Sequence, residues 1–264
     1  MPTANALSHK PMRAIAMAAA LLSALAAAPA AAQPFGVFPA GGSDAQVAEL
    51  RGDVSTVETH VWQVDFSQRT IKKSGLIAHT IDNFTAGGMI STHIAYDTTD
   101  ELDSKTIYQY NDDGTKRVST TYSKTGERTL QTLYAYTADG FLARMRFTDA
   151  DAVTISTTEI GTTATSTTTE ELYNDSEKVR TTYSYDKDLN LIRTTRADGH
   201  TTSDKQLSLT YNGLPARGTY TTSWSKSTLT FEHETDSRGN WTRRVTYVDG
   251  VATEVAERVI TYAE

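Results

Sequence analysis

The segment KVRTTYSY, residues 178–185, decides the fold of this chain. Its apolar and aromatic side chains stand at every second position, as Val179, Tyr183 and Tyr185 do, and Lys178 and Arg180 alternate with them. Successive side chains of a β-strand point to opposite faces, so this period of two predicts a strand with one buried face. The same alternation is present in residues 207–211, 229–234 and 241–247.

Turn signals separate these strands. An aromatic residue followed by a cluster of turn-forming residues recurs about every 12 to 14 residues. That interval holds one strand and a tight turn, so consecutive strands must be antiparallel neighbours. A longer period of about 50 residues is superimposed, as in the series Tyr122, Tyr173 and Trp224. Residues 54–264 are therefore predicted to be all-β, an antiparallel meander of about 15 strands built from four-strand units of about 50 residues.

Composition supports this fold class and excludes several kinds of chemistry. The 264-residue chain has a formal net charge of −7, no cysteine and 44 threonines, all but one of them after residue 53. Threonine is β-branched and favours strands over long helices. The absence of cysteine excludes disulfide frameworks, thiolate nucleophiles and cysteine-ligated metals. Because an acidic chain repels phosphate backbones, nucleic acid is not an expected partner.

The amino-terminal residues have the pattern of a secretory signal peptide. Lys10 and Arg13 precede the small and apolar run of residues 14–28, and the alanines at 30–32 suit signal peptidase. The run is shorter than the roughly 20 residues that a membrane-spanning helix needs. We predict a signal peptide over residues 1–32, whose removal changes the net charge from −7 to −9. The mature chain is then expected to have no membrane span and a periplasmic or secreted location in a bacterium.

Residues 33–53 are predicted to be a linker. They are rich in glycine and proline, and their first half shows no period. The segment SDAQ at 43–46 fits a helix capping box, so one or two helical turns are expected over Asp44 to Leu50. Such a helix could cover the first edge of the sheet. A disordered tail is the alternative.

Three phased segments, residues 136–144, 185–193 and 236–243, resemble the YD repeats of rearrangement-hotspot (Rhs) and teneurin-type proteins. The shared pattern is an aromatic or acidic turn residue, a glycine or its replacement, an apolar residue and an arginine, in weak copies over about residues 96–262. Long arrays in that family wind into a hollow β shell that encloses a toxin or binds carbohydrate at cell surfaces. This chain is much shorter and has no DPxG-like aspartyl core, so the resemblance implies the sheet, and not enclosure or self-cleavage.

A single sheet must cover its apolar face. The sequence predicts a coiled sheet like that of a YD shell, in which strand twist closes one face of the sheet on itself, because its strands look interchangeable. A small β-propeller is the alternative, since four strands in about 50 residues also suit one blade. A transmembrane barrel would need an apolar lipid-facing side, whereas residues 162–171 are polar on both faces.

The sequence contains no recognised catalytic motif. Glu232 and Glu234 share one strand face, but a glycosidase also needs a carboxylate placed opposite. The histidines after residue 53 show neither helical pairing nor HExxH spacing, and a metal held by His79 and His93 is the alternative to surface roles. No catalytic residue, no metal and no cofactor are predicted.

Tyrosines spaced two residues apart are the candidate ligand-binding residues. Each pair projects from one face of a strand, and cross-strand neighbours would form a row of rings. Such a row suits stacking on sugar rings, and it is equally the aromatic packing that holds a meander together. The candidates are Tyr108, Tyr110, Tyr134, Tyr136, Tyr183 and Tyr185.

The first functional hypothesis is an exported, non-catalytic repeat protein. It would act as a scaffold or binding module for a carbohydrate or for a protein partner in the cell envelope. The alternatives are a carbohydrate-active hydrolase and an accessory or immunity protein of a contact-toxin system. A pocket that collects two carboxylates or several histidines would favour the hydrolase, and an open aromatic groove would favour the binding module.

Overall fold

The computed structural model describes residues 37–38, 42–67, 70–173, 177–210 and 212–264, without the side chains of residues 66, 67, 173 and 177. The predicted signal peptide, residues 1–32, and the first part of the predicted linker lie outside the described residues. No helix within the described ranges is long and apolar enough to cross a membrane.

The described residues form one short helix and sixteen strands. Helix α1 begins after Ser43, whose side chain accepts a hydrogen bond from the Gln46 N–H at 3.3 Å, as an N-cap residue does. The elements are α1 (Asp44–Val47), β1 (Val54–Ser67), β2 (Thr70–Phe84), β3 (Ile90–Tyr96), β4 (Leu102–Tyr110), β5 (Lys116–Ser123), β6 (Arg128–Tyr136), β7 (Leu142–Thr148), β8 (Thr154–Thr162), β9 (Ser166–Tyr173), β10 (Glu177–Tyr185), β11 (Leu191–Ala197), β12 (Thr202–Leu209), β13 (Pro215–Thr222), β14 (Lys226–Thr235), β15 (Trp241–Val248) and β16 (Val251–Tyr262).

The sixteen strands close into one barrel. Each strand pairs antiparallel with its neighbours in sequence, and β1 pairs with β16 from Val57 opposite Ile260 to Gln63 opposite Glu254. The all-β class and the antiparallel meander are thereby confirmed. The predicted coiled sheet and the alternative of a small propeller are wrong, because hydrogen bonding is continuous around the ring. Closure gives every strand two partners and removes the free edges that an open sheet would expose.

The two faces of the strands differ in exposure. In β4, Ser104 is buried and Tyr108 half-buried, whereas Lys105, Ile107 and Gln109 are exposed. In a closed barrel the less exposed face is the interior, and residues directly opposite on paired strands share a face. The interior side chains can therefore be traced from strand to strand through the register.

Hairpin turns alternate between the two ends of the barrel. The turns at residues 85–89, 111–115, 137–141 and 186–190 lie at one end, here named the helix end, because Ala45 of α1 donates its N–H to the carbonyl of Gly88 there at 2.9 Å. Gly140 supplies the positive φ of 82° that its turn requires, and Leu189 adopts a φ of 63° at the matching position.

Residues 37–38 and 42–51 lie inside the barrel at the helix end. Val37 belongs to a buried cluster with Met145 of β7 and Tyr183 of β10. Glu49 accepts hydrogen bonds from side chains of β15, and Ala45 packs among residues of β1, β2 and β3. Only a segment within the ring can touch strands spread around its circumference. The expectation that the helix covers a sheet edge is wrong, since the closed barrel has no edge to cover.

Candidate functional site

All six candidate tyrosines point into the barrel. Tyr183 is 7% exposed and Tyr185 is 5% exposed, and both belong to the buried cluster that contains Val37. The other four rings are half-buried, and Tyr108 packs against the cluster that contains Ala45. The structure thus brings the predicted rings to one interior surface, where residues of the same chain contact them. They do not form an open groove on the outside.

An ion pair lies among these tyrosines. Lys116 and Asp44 are 1% and 0% exposed, and the Lys116 Nζ stands 2.5 Å from Asp44 Oδ2. The same carboxylate oxygen accepts the Ile90 N–H at 2.9 Å, and the ammonium lies within about 6 Å of the rings of Tyr108 and Tyr110. Burial lowers the pKa of Lys116, and the carboxylate of Asp44 opposes that effect. The pair therefore fixes α1 against β3 and β5 in a place where an unpaired charge would be costly.

The tyrosine hydroxyls are hydrogen-bonded or held close to charges. Tyr134 Oη lies 3.1 Å from Ser119 Oγ, and Tyr110 donates to the carbonyl of Ile90. Burial raises the pKa of Tyr110 and Tyr134, and it raises that of Tyr136 to about 12. These hydroxyls keep their protons at neutral pH, so each can donate one hydrogen bond.

A band of small hydroxyl side chains continues the same interior face. Ser119 lies opposite Tyr108, Thr132 lies opposite Ser119, and Ser156 follows across β7. Buried hydroxyls cost free energy unless they are hydrogen-bonded, so this interior is not a plain hydrophobic core. The buried hydroxyl residues of the band are Ser104, Ser119, Thr121, Thr132, Ser156, Thr158, Thr167 and Thr169.

A second charged cluster joins residues 42–51, here named the entering segment, to β15 and β16. Glu49 Oε2 accepts hydrogen bonds from Trp241 Nε1 at 2.7 Å and from Arg244 Nη1 at 2.8 Å. The guanidinium of Arg258 lies 3.6 Å from the Trp241 ring centroid and donates to the Ala48 carbonyl at 2.9 Å. Burial raises the pKa of Glu49, but Arg244 and Arg258 outweigh it and the pKa lies below its ordinary value.

Three further titratable groups, Lys205, His233 and Glu254, lie near this cluster. Burial and the charge of Arg244 lower the pKa of Lys205 to about 8. The same two causes lower the pKa of His233 to about 4, so this imidazole is neutral at pH 7. Glu254 is 4% exposed, and burial raises its pKa.

The outer face carries paired charges in the middle of its strands. Arg144 bonds Glu159 at 2.6 Å, and Arg193 bonds both carboxylate oxygens of Asp204 at 2.9 Å. Glu234, one of the two carboxylates that a glycosidase would have used, bonds Arg243 at 3.0 Å. Its neighbour Glu232 accepts the Tyr247 hydroxyl at 2.8 Å. Both carboxylates therefore take part in cross-strand bonds on the outside of the barrel.

The histidines are grouped differently from the predicted pair. His93 is opposite Asp82 on β2, three residues beyond His79, so the two histidines project from opposite faces of the sheet. His79 instead stacks on His60, directly across on β1, with ring centroids 3.9 Å apart. The sequence reasoning missed this pairing because it depends on the register of the β1–β2 hairpin. It also missed Asp44, Lys116 and Glu49, which lack a local pattern.

Comparisons with known proteins identify no family. No protein-family model and no curated protein matches the chain. A porin-like protein from Bacteroides uniformis is similar at 11% identity and a TM-score of 0.40, over 79% of this chain and 96% of that one. One from Bacteroides vulgatus has the same identity and TM-score, over 81% and 99%. A TcdB2-TccC3-Cdc42 structure is similar at 13% identity and a TM-score of 0.32, over 80% of this chain and 14% of that chain.

Proposed function

We propose that the protein is an exported, non-catalytic barrel that acts as a scaffold and binding module, and that its tyrosine-lined interior takes a polar ligand of the carbohydrate class. The observation that carries this proposal is the composition of the interior face. Aromatic rings with protonated hydroxyls lie beside a band of buried serines and threonines. A protein selected only for stability would have an apolar interior there, since buried hydroxyls add little stability.

The chemistry of that face suits a sugar. Rings such as Tyr183 present a flat apolar surface, and the hydroxyls of the band donate and accept hydrogen bonds in fixed directions. The residues of the chain that pack with the rings, Val37 and Ala45 among them, would have to shift or share the interior with the ligand. The binding-competent form is then expected to be less populated than the form in which residues 37–38 and 42–51 fill this part of the interior.

The hydrolase alternative has no specific observation in its favour, because Glu232 and Glu234 are engaged on the outer face. A periplasmic or secreted location is part of the proposal. It is supported by the signal-peptide pattern of residues 1–32 and by the ion pairs on the outer face, which favour contact with water over contact with lipid. A role beside a contact toxin stays a prediction.

A glycan array with calorimetry on the positive sugars tests this function. The variant Tyr183→Phe/Tyr185→Phe keeps both rings and removes both hydroxyls, and Tyr122→Phe is the matched control because Tyr122 is opposite Lys105 on the outer face. We expect the double variant to bind a sugar that scores on the array at least about tenfold more weakly than the wild type does. A site that hydrogen-bonds its ligand loses affinity when one hydrogen-bonding group is removed. The proposal would be contradicted if the folded protein bound no sugar on the array, or if the double variant bound as tightly as the wild type.

A further inference from the structure

A compact group of nitrogen and oxygen atoms that could ligate a metal ion lies on the outer face of β1 and β2. Glu58 and His60 are two residues apart on β1 and share a face, and His79 is directly opposite His60. Glu58 Oε1 lies 3.0 Å from His79 Nε2 and 3.8 Å from His60 Nε2. The three candidate ligand atoms all lie within 4.8 Å of one another. Three side chains from two adjacent strands therefore converge on a single point.

The hydrogen bonds of His79 indicate what that point could hold. Its Nδ1 is 2.5 Å from Asp100 Oδ1, while its Nε2 faces Glu58. A neutral imidazole has one N–H. When that N–H is on Nδ1 and donates to Asp100, Nε2 carries a lone pair. That lone pair and the Glu58 carboxylate would then face each other across 3.0 Å, an arrangement that needs a positive charge between them. A metal ion supplies that charge, and a second proton on His79 is the competing solution.

We propose that Glu58, His60 and His79 bind a divalent transition-metal ion of the zinc class. Two imidazole nitrogens and one carboxylate are a donor set that zinc accepts, with water in the remaining position. The carboxylate of Asp100 holds His79 in the tautomer that presents Nε2 to the ion, as carboxylates behind zinc-bound histidines do. Asp100 is thus a positioning residue. Together Glu58 and Asp100 carry two negative charges, which balance a divalent cation.

The surroundings of the group favour a cation. Lys73 of β2 has its Nζ 2.7 Å from Glu257 and 3.6 Å from the centroid of the Trp62 ring, so its charge is already compensated. Trp62 stacks on His60 with ring centroids 5.2 Å apart. Tyr96 stacks on the other side of the pair, 4.1 Å from His79. These two flat neighbours hold the imidazole pair between them and limit each ring to small tilts.

Binding requires one local adjustment. The two imidazoles are nearly parallel, with an angle of 17° between their planes. A metal ion lies near the plane of each ring that binds it, so the rings must open slightly toward the ion. Rotation about the side-chain torsions achieves this without moving the strands. His60 and Glu58 are half-buried at the surface, which leaves the ion a path from solvent.

Calorimetric titration with ZnCl2 and CoCl2 tests the site. The mature chain would be used without an affinity tag and after removal of bound metals with a chelator. We expect one ion to bind per chain, with at least a tenfold loss of affinity in Glu58→Gln and in His60→Gln. Asp100→Asn should weaken binding by about 10- to 100-fold through its effect on His79. His200→Gln is the matched control, because His200 is an exposed histidine in the turn after β11.

Trp62 gives a second readout that does not depend on affinity alone. Bound Cu²⁺ should quench the fluorescence of Trp62 through its stack on His60, and Trp62→Phe should remove that quenching. Circular dichroism of each variant without metal checks that the barrel is intact, and the substitutions avoid buried His79 for that reason. Failure of the folded protein to bind any of these ions, or binding that survives both Glu58→Gln and His60→Gln unchanged, would overturn the proposal in favour of a protonated His79.

Discussion

Replacement of Asp44 by asparagine removes the negative charge that faces Lys116 inside the barrel. Asparagine keeps an acceptor for the Ile90 N–H and nearly the same volume, so the substitution isolates the charge. Lys116 is 1% exposed and would then be a buried ammonium without its carboxylate. Its only ways to avoid that state are to lose its proton or to let the segment that carries α1 leave the interior.

The free-energy cost of Asp44→Asn cannot exceed the cost of removing the proton from Lys116. The ordinary pKa of lysine is 10.5, and burial lowers the value of Lys116 in the folded protein. Removing a proton from a lysine with the ordinary pKa of 10.5 costs about 1.4 kcal/mol for each pH unit below that value. This amounts to about 5 kcal/mol at pH 7 and about 2 kcal/mol at pH 9. Loss of one partner of a buried ion pair costs about 3–5 kcal/mol in other proteins, which lies within the bound at pH 7. We therefore expect Asp44→Asn to destabilise the barrel by about 3–5 kcal/mol at pH 7 and by no more than about 2 kcal/mol at pH 9.

Urea unfolding, followed by far-ultraviolet circular dichroism at pH 7 and pH 9, measures both values. The sign follows from the proton balance. In the variant the folded state binds fewer protons than the unfolded state between the two pKa values of Lys116, so its stability rises with pH relative to the wild type. Asp44→Ala/Lys116→Met removes both charges and should recover most of the loss, whereas Glu159→Gln breaks an exposed pair and should cost less than about 1 kcal/mol. A loss below about 1 kcal/mol at pH 7, or one that does not shrink at pH 9, would refute the reasoning.

Three further substitutions test other parts of the structure. Glu49→Gln should cost about 2–4 kcal/mol at pH 7, and urea unfolding should show the difference from wild type disappearing as the pH falls through the lowered pKa of Glu49, because that contribution needs the ionised carboxylate. Gly218→Ala should cost about 1–3 kcal/mol in the same assay, since its Cβ would lie 2.4 Å from the Gln206 carbonyl, while Gly161→Ala meets no atom within 4 Å and should be nearly neutral. Leu189→Gly should stabilise the barrel by up to about 1 kcal/mol and raise the melting temperature, because glycine removes the strain of a φ of 63° at that turn.

The local part of the fold could be read from the sequence, and the closure could not. Period-two patterns such as residues 178–185 predicted β10 as the structure has it, from Glu177 to Tyr185, because that signal depends only on neighbours in sequence. Closure depends on β1 meeting β16, whose paired residues Val57 and Ile260 are about 200 positions apart. Each of those strands shows the same alternation as an edge strand would. No local pattern therefore separates a closed barrel from a coiled open sheet.

The candidate site in the interior was predictable only in part. The spacing of Tyr108 and Tyr110 correctly placed both rings on one face, since positions two apart on a strand share a face. The sequence did not say which face would become the interior or that residues 42–51 would contact it. The His60–His79 stack likewise depends on the register of one hairpin, which a shift by one residue would have destroyed.

The two charged contacts of the entering segment explain how a stretch without periodicity takes one position. Apolar contacts such as those of Val37 tolerate sliding, because dispersion and hydrophobic burial have little directionality. An ion pair has one partner at one distance. Asp44 meets Lys116 on β5, and five residues later Glu49 meets Arg244 on β15, near the opposite side of the ring. A shift of the segment by one residue would leave both charges on the wall unpaired in a poorly hydrated interior, so the two contacts together select a single register.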